Sequence, residues 1–264
     1  MNFIDTHAHI DGAEYNDDRD AVIMRAKEAG ISHIFVPSID LKSVDTVLAT
    51  AREYSGFVHP MIGLHPEEVN DNYVDVLKSM KSILDDNLSA APKIERFIAI
   101  GEVGLDYYWS REYEKEQLAA FEDQICWSAE TKLPLAIHCR KAQNEMVKLM
   151  RKYDKDLPGG VFHCFTGNLH EAEELLQFDN FVLGIGGVLT FKKSNLQEVI
   201  KDIPLSRIVL ETDAPYMAPT PKRGERNESA YVQYVLKKVA ECYGVGEDEV
   251  ARQTNENVLR VFNI

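Results

Sequence analysis

Several histidines and carboxylates of this chain stand where metal chemistry would need them. His7 and His9 form a His-x-His pair in Phe3-Ile4-Asp5-Thr6-His7-Ala8-His9. His65 lies in Gly63-Leu64-His65-Pro66, and Glu102 in Ile100-Gly101-Glu102-Val103-Gly104-Leu105-Asp106. His138 and Arg140 lie in Ile137-His138-Cys139-Arg140, His163 in Phe162-His163-Cys164, and Asp213 in Glu211-Thr212-Asp213. Neutral imidazoles and carboxylates together suit Zn²⁺, Mn²⁺ or similar ions, and carboxylates also suit Mg²⁺. A lone His-x-His is weak evidence and is more often a pair of hydrogen-bonded core histidines. Joined by Glu102, His138, His163 and Asp213, it reads as a divalent-metal hydrolase centre. A carboxylate such as Glu102 can bridge two ions.

The elements that would position these residues follow from periodicity. Short β-branched runs alternate with longer helical patterns. Eight strands are expected: Phe3–Asp5, Ser32–Val36, Phe57–Ile62, Phe97–Gly101, Leu135–His138, Val161–His163, Phe181–Ile185 and Arg207–Glu211. Helical spacing joins Val44, Val47, Leu48 and Ala51, and again Leu118, Phe121, Ile125 and Ala129. Alternating β and α elements imply a parallel sheet with helices outside. Eight such units point to an α/β fold of the (β/α)8 TIM-barrel type, as one domain over residues 1–264. In such barrels the chemistry sits at the C-terminal strand ends. The histidines, Glu102 and Asp213 all fall there, with Glu102 and Asp213 just beyond their strands. Strand alternation puts His7 and His9 on one side with Asp5, Glu211 with Asp213, and His138 with Arg140. Cys139 and Cys164 should then point away, as small buried residues. The one glycine cluster, Gly184-Ile185-Gly186-Gly187, matches neither a dinucleotide fingerprint nor a P-loop, and reads as strand-end packing.

Composition narrows the partners. The chain has 264 residues, with 29 Lys+Arg against 43 Asp+Glu, a net charge of −14. A protein gripping long duplex DNA by charge alone would be basic. No apolar run reaches the roughly 20 residues that span a bilayer. The first residues show no signal-peptide pattern, so a cytoplasmic protein is expected, with no membrane partner and no evident obligate protein partner. The four cysteines include no CxxC pair and should be reduced thiols.

The motifs quoted above, extended by Asp11 in the first, Tyr107 after Asp106, Phe165-Thr166-Gly167 after Cys164 and Ala214-Pro215-Tyr216 after Asp213, resemble the TatD family of metal-dependent deoxyribonucleases, within the amidohydrolase superfamily. The resemblance runs nearly end to end. It implies a metal set of His7, His9, Glu102, His138, His163 and Asp213, holding two divalent ions (Mg²⁺, Mn²⁺ or Zn²⁺). It also implies that His65 contacts the scissile phosphate or a water near it. The final loop reads Arg226-Asn227-Glu228-Ser229 where family members often have proline in the last place, which questions that loop's stiffness. The implied activity is hydrolysis of DNA phosphodiester bonds from single-stranded ends, commonly 3′ to 5′. Asp213 or a metal-bound partner would serve as general base, with Glu102 and His65 beside it in the catalytic set.

Substrate contacts can be placed on the same residues. Arg140 shares the His138 face and can bind a phosphate oxygen bidentately. Arg223 belongs to a basic loop, Pro219–Arg226, in an otherwise acidic chain. Tyr107, ahead of Tyr108 and Trp109, is the preferred residue for stacking on a base. The alternative activity is metal-dependent ester or amide hydrolysis, such as removal of a D-amino acid from tRNA. A non-catalytic binding barrel would show a disabled ligand set.

Overall fold

The β-branched runs become eight short strands. They are β1 (Phe3–Asp5), β2 (Ile31–Pro37), β3 (Val58–Ile62), β4 (Ala99–Asp106), β5 (Leu135–Arg140), β6 (Gly160–Phe162), β7 (Phe181–Ile185) and β8 (Ile208–Leu210). The helices are α1 (Arg19–Glu28), α2 (Leu41–Glu53), α3 (Tyr73–Ala90), α4 (Glu114–Thr131), α5 (Gln143–Met150), α6 (Leu169–Leu175), α7 (Leu196–Val199), α8 (Val232–Tyr243) and α9 (Glu247–Phe262). The computed structural model describes residues 1–264. The strands follow chain order in one eight-stranded sheet. After β8 the chain pairs with the β1 end, through Thr6 N–H to Leu210 O (3.0 Å), Asp213 N–H to His7 O (2.9 Å) and a parallel Ala8–Ala214 bridge. This is the (β/α)8 barrel class. No helix is long and apolar enough to cross a membrane.

Contacts group the chain into two compact units. The first comprises residues 1–36, 163–177 and 181–264. It carries β7, β8, β1 and nearly all of β2, with parallel registers Gly184↔Val209 and Ile4↔His33. Leu183, Ile185, Ile208, Val209, Ile34 and Phe35 are fully buried in it. The second unit, residues 37–162 and 178–180, carries β3 to β6 in parallel order. Its strands are apolar on both faces, as buried parallel strands are: Met61, Ile62, Ala99, Ile100, Val103, Leu105, Leu135, Ala136 and Ile137 are all fully buried.

One strand differs from expectation in a way that matters. β4 does not end at Gly101. It runs on through Glu102 to Asp106, pairing Val103↔Ile137, Gly104↔His138, Leu105↔Cys139 and Asp106↔Arg140 with β5. Glu102 therefore lies within the strand. The register shifts between Ile100 and Val103, a bulge of the kind that re-aims a side chain. Gly104 faces His138 across the pair at φ +139°, and a Cβ there would run into the His138 carbonyl.

Candidate metal centre

In the second unit, Glu102, His65 and His138 converge, their ligand atoms lying within 4.8 Å of one another. Glu102 Oε1 is 3.3 Å from His65 Nε2 and 3.1 Å from His138 Nδ1. The other His138 nitrogen, Nε2, is 2.9 Å from Asp106 Oδ2. The second Asp106 oxygen accepts the Tyr108 amide at 2.8 Å. Burial alone would lower the His138 pKa. The hydrogen bonds to Asp106 and Glu102 outweigh it and raise the imidazole to about 9. Burial likewise opposes the Asp106 charge, but the His138 and Tyr108 hydrogen bonds hold this carboxyl below its usual range. Asp106 thus fixes the ring of His138, leaving Nδ1 toward Glu102, as a carboxylate–histidine pair does behind a metal.

Backbone clamps hold these groups in place. Two glutamines seven residues apart on one face of α4 grip two of the loops. Gln124 accepts the Leu64 amide (2.7 Å) and donates to the Leu64 carbonyl (3.3 Å). Gln117 accepts the Asp106 amide (3.0 Å) and donates to its carbonyl (3.2 Å). The turn after β2 adds two more ties: Glu102 N–H donates to Ser38 O (3.1 Å) and His65 N–H to Ile39 O (2.8 Å). His65 Nδ1 accepts the Glu67 amide at 3.2 Å. In the neutral ring this contact leaves the proton on Nε2, which faces Glu102 Oε1 as a donor.

In the first unit, His7, His9 and Asp213 form another such group. His7 Nε2 and His9 Nε2 are 3.3 Å apart, and Asp213 Oδ1 is 4.0 and 3.8 Å from them. His163 stacks on His7, with ring centroids 4.0 Å apart. Glu211 Oε1 lies 3.8 Å from His163 Nδ1 and accepts the Cys164 amide. Fully buried, Glu211 is pushed up to about 8. Asp5 is buried too, and burial raises it to about 7. It ties the His7 and Thr212 segments together, accepting the Thr212 amide (2.9 Å), the Thr212 hydroxyl (2.6 Å) and the His7 amide (3.4 Å).

These donors fit a divalent ion. An ion with bonds of about 2.1 Å brings adjacent ligand atoms to roughly 3.0–3.4 Å. The His7–His9 and His138–Glu102 separations, 3.3 and 3.1 Å, already lie there.

The remaining predicted residues divide. Tyr107 is buried, with the Arg111 guanidinium 4.6 Å from its ring centroid, and burial pushes its hydroxyl up to about 12. It cannot stack on a base. It continues the β4 alternation on the Leu105 side, away from Asp106. Exposed rings come next in the chain, at Tyr108 and Trp109. Arg140 is exposed at the end of β5, above Tyr108. Arg223 packs over the Phe191 ring, 3.9 Å from its centroid. Cys139 and Cys164 are half-buried, not buried. Cys164 lies past β6 with φ +50°, where strand alternation no longer applies. The final loop gains from Asn227 the stiffness that proline would lend. The Asn227 side chain donates to Thr212 O (2.8 Å) and Tyr216 O (2.6 Å), while Glu228 pairs with Arg25 at 2.6 Å. Asp106, Gln117 and Gln124 escaped sequence reasoning. The alternation Glu102-x-Gly104-x-Asp106 was the available signal for Asp106, once β4 is carried past Gly101.

Fold and donor set define a metal-dependent hydrolase on a (β/α)8 scaffold. Comparison with known proteins agrees. The sequence model described as TatD related DNase matches residues 4–263. The chain is 38% identical to the uncharacterized metal-dependent hydrolase YabD of Bacillus subtilis, over 98% of each chain. It is 30% identical to the 3′-5′ ssDNA/RNA exonuclease TatD of Pectobacterium carotovorum, over 98% of this chain and 99% of that one. The crystal structure of the TatD homologue YjjV from Escherichia coli superposes with a TM-score of 0.88 at 29% identity, covering 99% of this chain and 98% of that one. The chain belongs to the TatD family.

Proposed function

We propose that this hydrolase cleaves phosphodiester bonds of single-stranded DNA from strand ends, in the 3′ to 5′ direction. The observation carrying the reading is the pair of His/carboxylate groups, His7–His9–Asp213 and His65–Glu102–His138. The substrate and polarity are supported by the relative named a 3′-5′ ssDNA/RNA exonuclease, which matches 98% of the chain. In this proposal His7, His9, Glu102, His138, His163 and Asp213 would hold two divalent ions, Mg²⁺, Mn²⁺ or Zn²⁺. Bound there, such ions make water acidic enough to attack at neutral pH and neutralise phosphate charge.

The chain's own groups supply the rest. Asp213 takes the proton of the attacking water on a carboxylate oxygen. His65 presents its Nε2–H to a phosphate oxygen, the tautomer that its Nδ1 contact with the Glu67 amide imposes. Asp106 keeps the His138 proton on Nε2. Arg140 and Arg223 offer guanidinium edges to phosphates. Few other cations are needed if strand ends, not long duplexes, are taken, which suits a net charge of −14.

The test uses EDTA-stripped protein and short single-stranded DNA labelled at each end in turn. The expected result is no cleavage without metal and a ladder shortening from the 3′ end when Mg²⁺, Mn²⁺ or Zn²⁺ is restored. DNA left intact with metal demonstrably bound would overturn the reading, and an aminoacyl-tRNA deacylation assay would come next.

A further inference from the structure

Two large aromatic side chains stand in solvent one strand-end away from His138. Tyr108 is 49% exposed and Trp109 is 69% exposed. Their rings meet edge to face, with centroids 4.8 Å apart at 85°. The exposed Arg140 lies over both, its guanidinium carbon 3.5 Å from the Tyr108 centroid and 5.4 Å from that of Trp109. The cluster is not loosely hung. Tyr108 N–H donates to Asp106 Oδ1, and Asp106 Oδ2 holds His138 Nε2. Tyr107 N–H donates to Arg140 O at 2.9 Å, which ties the stem of the loop to β5. A single carboxylate therefore links the aromatic pair to a predicted metal ligand.

We propose that Tyr108, Trp109 and Arg140 form a platform on which an unpaired nucleobase of a single strand stacks. This rests on the phosphodiesterase reading and adds how that site selects its substrate. The chemistry favours a nucleotide. Flat π faces in water suit a flat heterocycle, and base stacking on aromatics is indifferent to sequence. A guanidinium that stacks on a ring keeps its N–H edge for a phosphate oxygen. Together they match a base with its own phosphate. A paired base inside a duplex has no free face to offer. The platform accordingly selects unpaired ends, where the chain's overall charge offers no general grip on nucleic acid.

The test separates binding from cleavage. Binding of the EDTA-treated protein is measured by fluorescence anisotropy with two labelled eight-residue strands, oligo-dT and a strand of the same length with every base removed. Loss of stacking at one base corresponds to about 5- to 150-fold in affinity. Wild type should prefer oligo-dT by that factor. The Tyr108→Ala/Trp109→Ala double variant should lose the preference while binding the base-free strand as wild type does. Trp109→Phe should keep most of it. Both side chains are exposed and the Tyr108 amide remains, so circular dichroism should show an unchanged fold. Trp127→Phe leaves Trp109 as the one tryptophan of the chain's two, and its fluorescence should be quenched by oligo-dT alone. Equal wild-type affinity for the two strands, binding to neither, or a preference that survives in the double variant would overturn the platform. Hydrolysis of methyl p-nitrophenyl phosphate with metal restored reports the phosphodiesterase reading separately. Turnover of that diester without base preference would remove the platform alone. Base preference without turnover of the diester or of DNA would remove the hydrolytic reading and leave base recognition in place.

Discussion

Asp106→Asn replaces one oxygen by an NH₂ group and leaves the side chain's size unchanged, so it isolates a proton-placement effect. Asp106 accepts on both oxygens, from the Tyr108 amide at 2.8 Å and from His138 Nε2 at 2.9 Å. An asparagine can accept on only one. If its carbonyl stays with Tyr108, its NH₂ group points at His138 Nε2 and requires a lone pair there. The neutral imidazole then carries its proton on Nδ1, the atom 3.1 Å from Glu102 Oε1, and has no lone pair left for an ion. If the carbonyl turns to His138 instead, the Tyr108 amide faces a second donor, at a cost of about 1–3 kcal/mol. Either outcome weakens the metal site. Partners behind metal-bound histidines typically change affinity by about 10- to 100-fold, which is roughly 1.4–2.7 kcal/mol. The assay is Zn²⁺ competition against a chromogenic chelator, with ion content counted by mass spectrometry. The variant should lose affinity at one ion and keep the ion held by His7, His9 and Asp213. Wild-type affinity at every ion, in a folded variant, would refute the claim that Asp106 sets the His138 tautomer.

Three further outcomes are expected. In metal-stripped protein, Asp5 and Glu211, raised to about 7 and 8 by burial, and His138, raised to about 9 by its carboxylates, all bind protons more tightly folded than unfolded. The acids lose stability from about pH 4 up to their folded values, and His138 loses its contribution between about pH 6.5 and 9. Melting temperature should therefore fall as pH rises from 6 to 9, by about 3–5 °C per unit for one net proton, and saturating Zn²⁺ should reverse the trend; a rising profile without metal would contradict these assignments. Gly184→Ala would place a methyl group against the Glu211 carboxylate and 3.0 Å from the His163 Cα, so thermal unfolding should show a loss of about 1–3 kcal/mol, and an unchanged melting temperature would count against the packing. Gln117→Ala removes both clamps on the Asp106 backbone and should destabilise the protein by about 1–3 kcal/mol in urea titration, with weaker metal binding; wild-type values for both would show that the clamp is dispensable.

Strand order and the approximate strand positions were legible from local patterning alone. β1 and β7 match their expected ranges residue for residue, because period and β-branching are local properties. The reach of β4 was not legible. Its continuation beyond Gly101 depends on the ladder to β5 and on Gly104 passing the His138 backbone. No local pattern reports a partner strand 34 residues away.

The sequence by itself determined the donor types, their strand-end positions, the (β/α)8 class and the family. These are written in residue identity and short-range period. Only tertiary structure decided which donors meet, and which nitrogen of each ring faces the neighbouring carboxylate. His138 lies within β5 and His65 beyond β3, yet Asp106 takes one nitrogen of the first ring and the Glu67 amide takes one nitrogen of the second. Tertiary structure also buried Tyr107 and left Tyr108 and Trp109 in water, though the three are adjacent in the chain. The physical reason is the same throughout. Tautomer, burial and ring orientation are set by hydrogen-bond partners and neighbours that folding brings from distant parts of the chain.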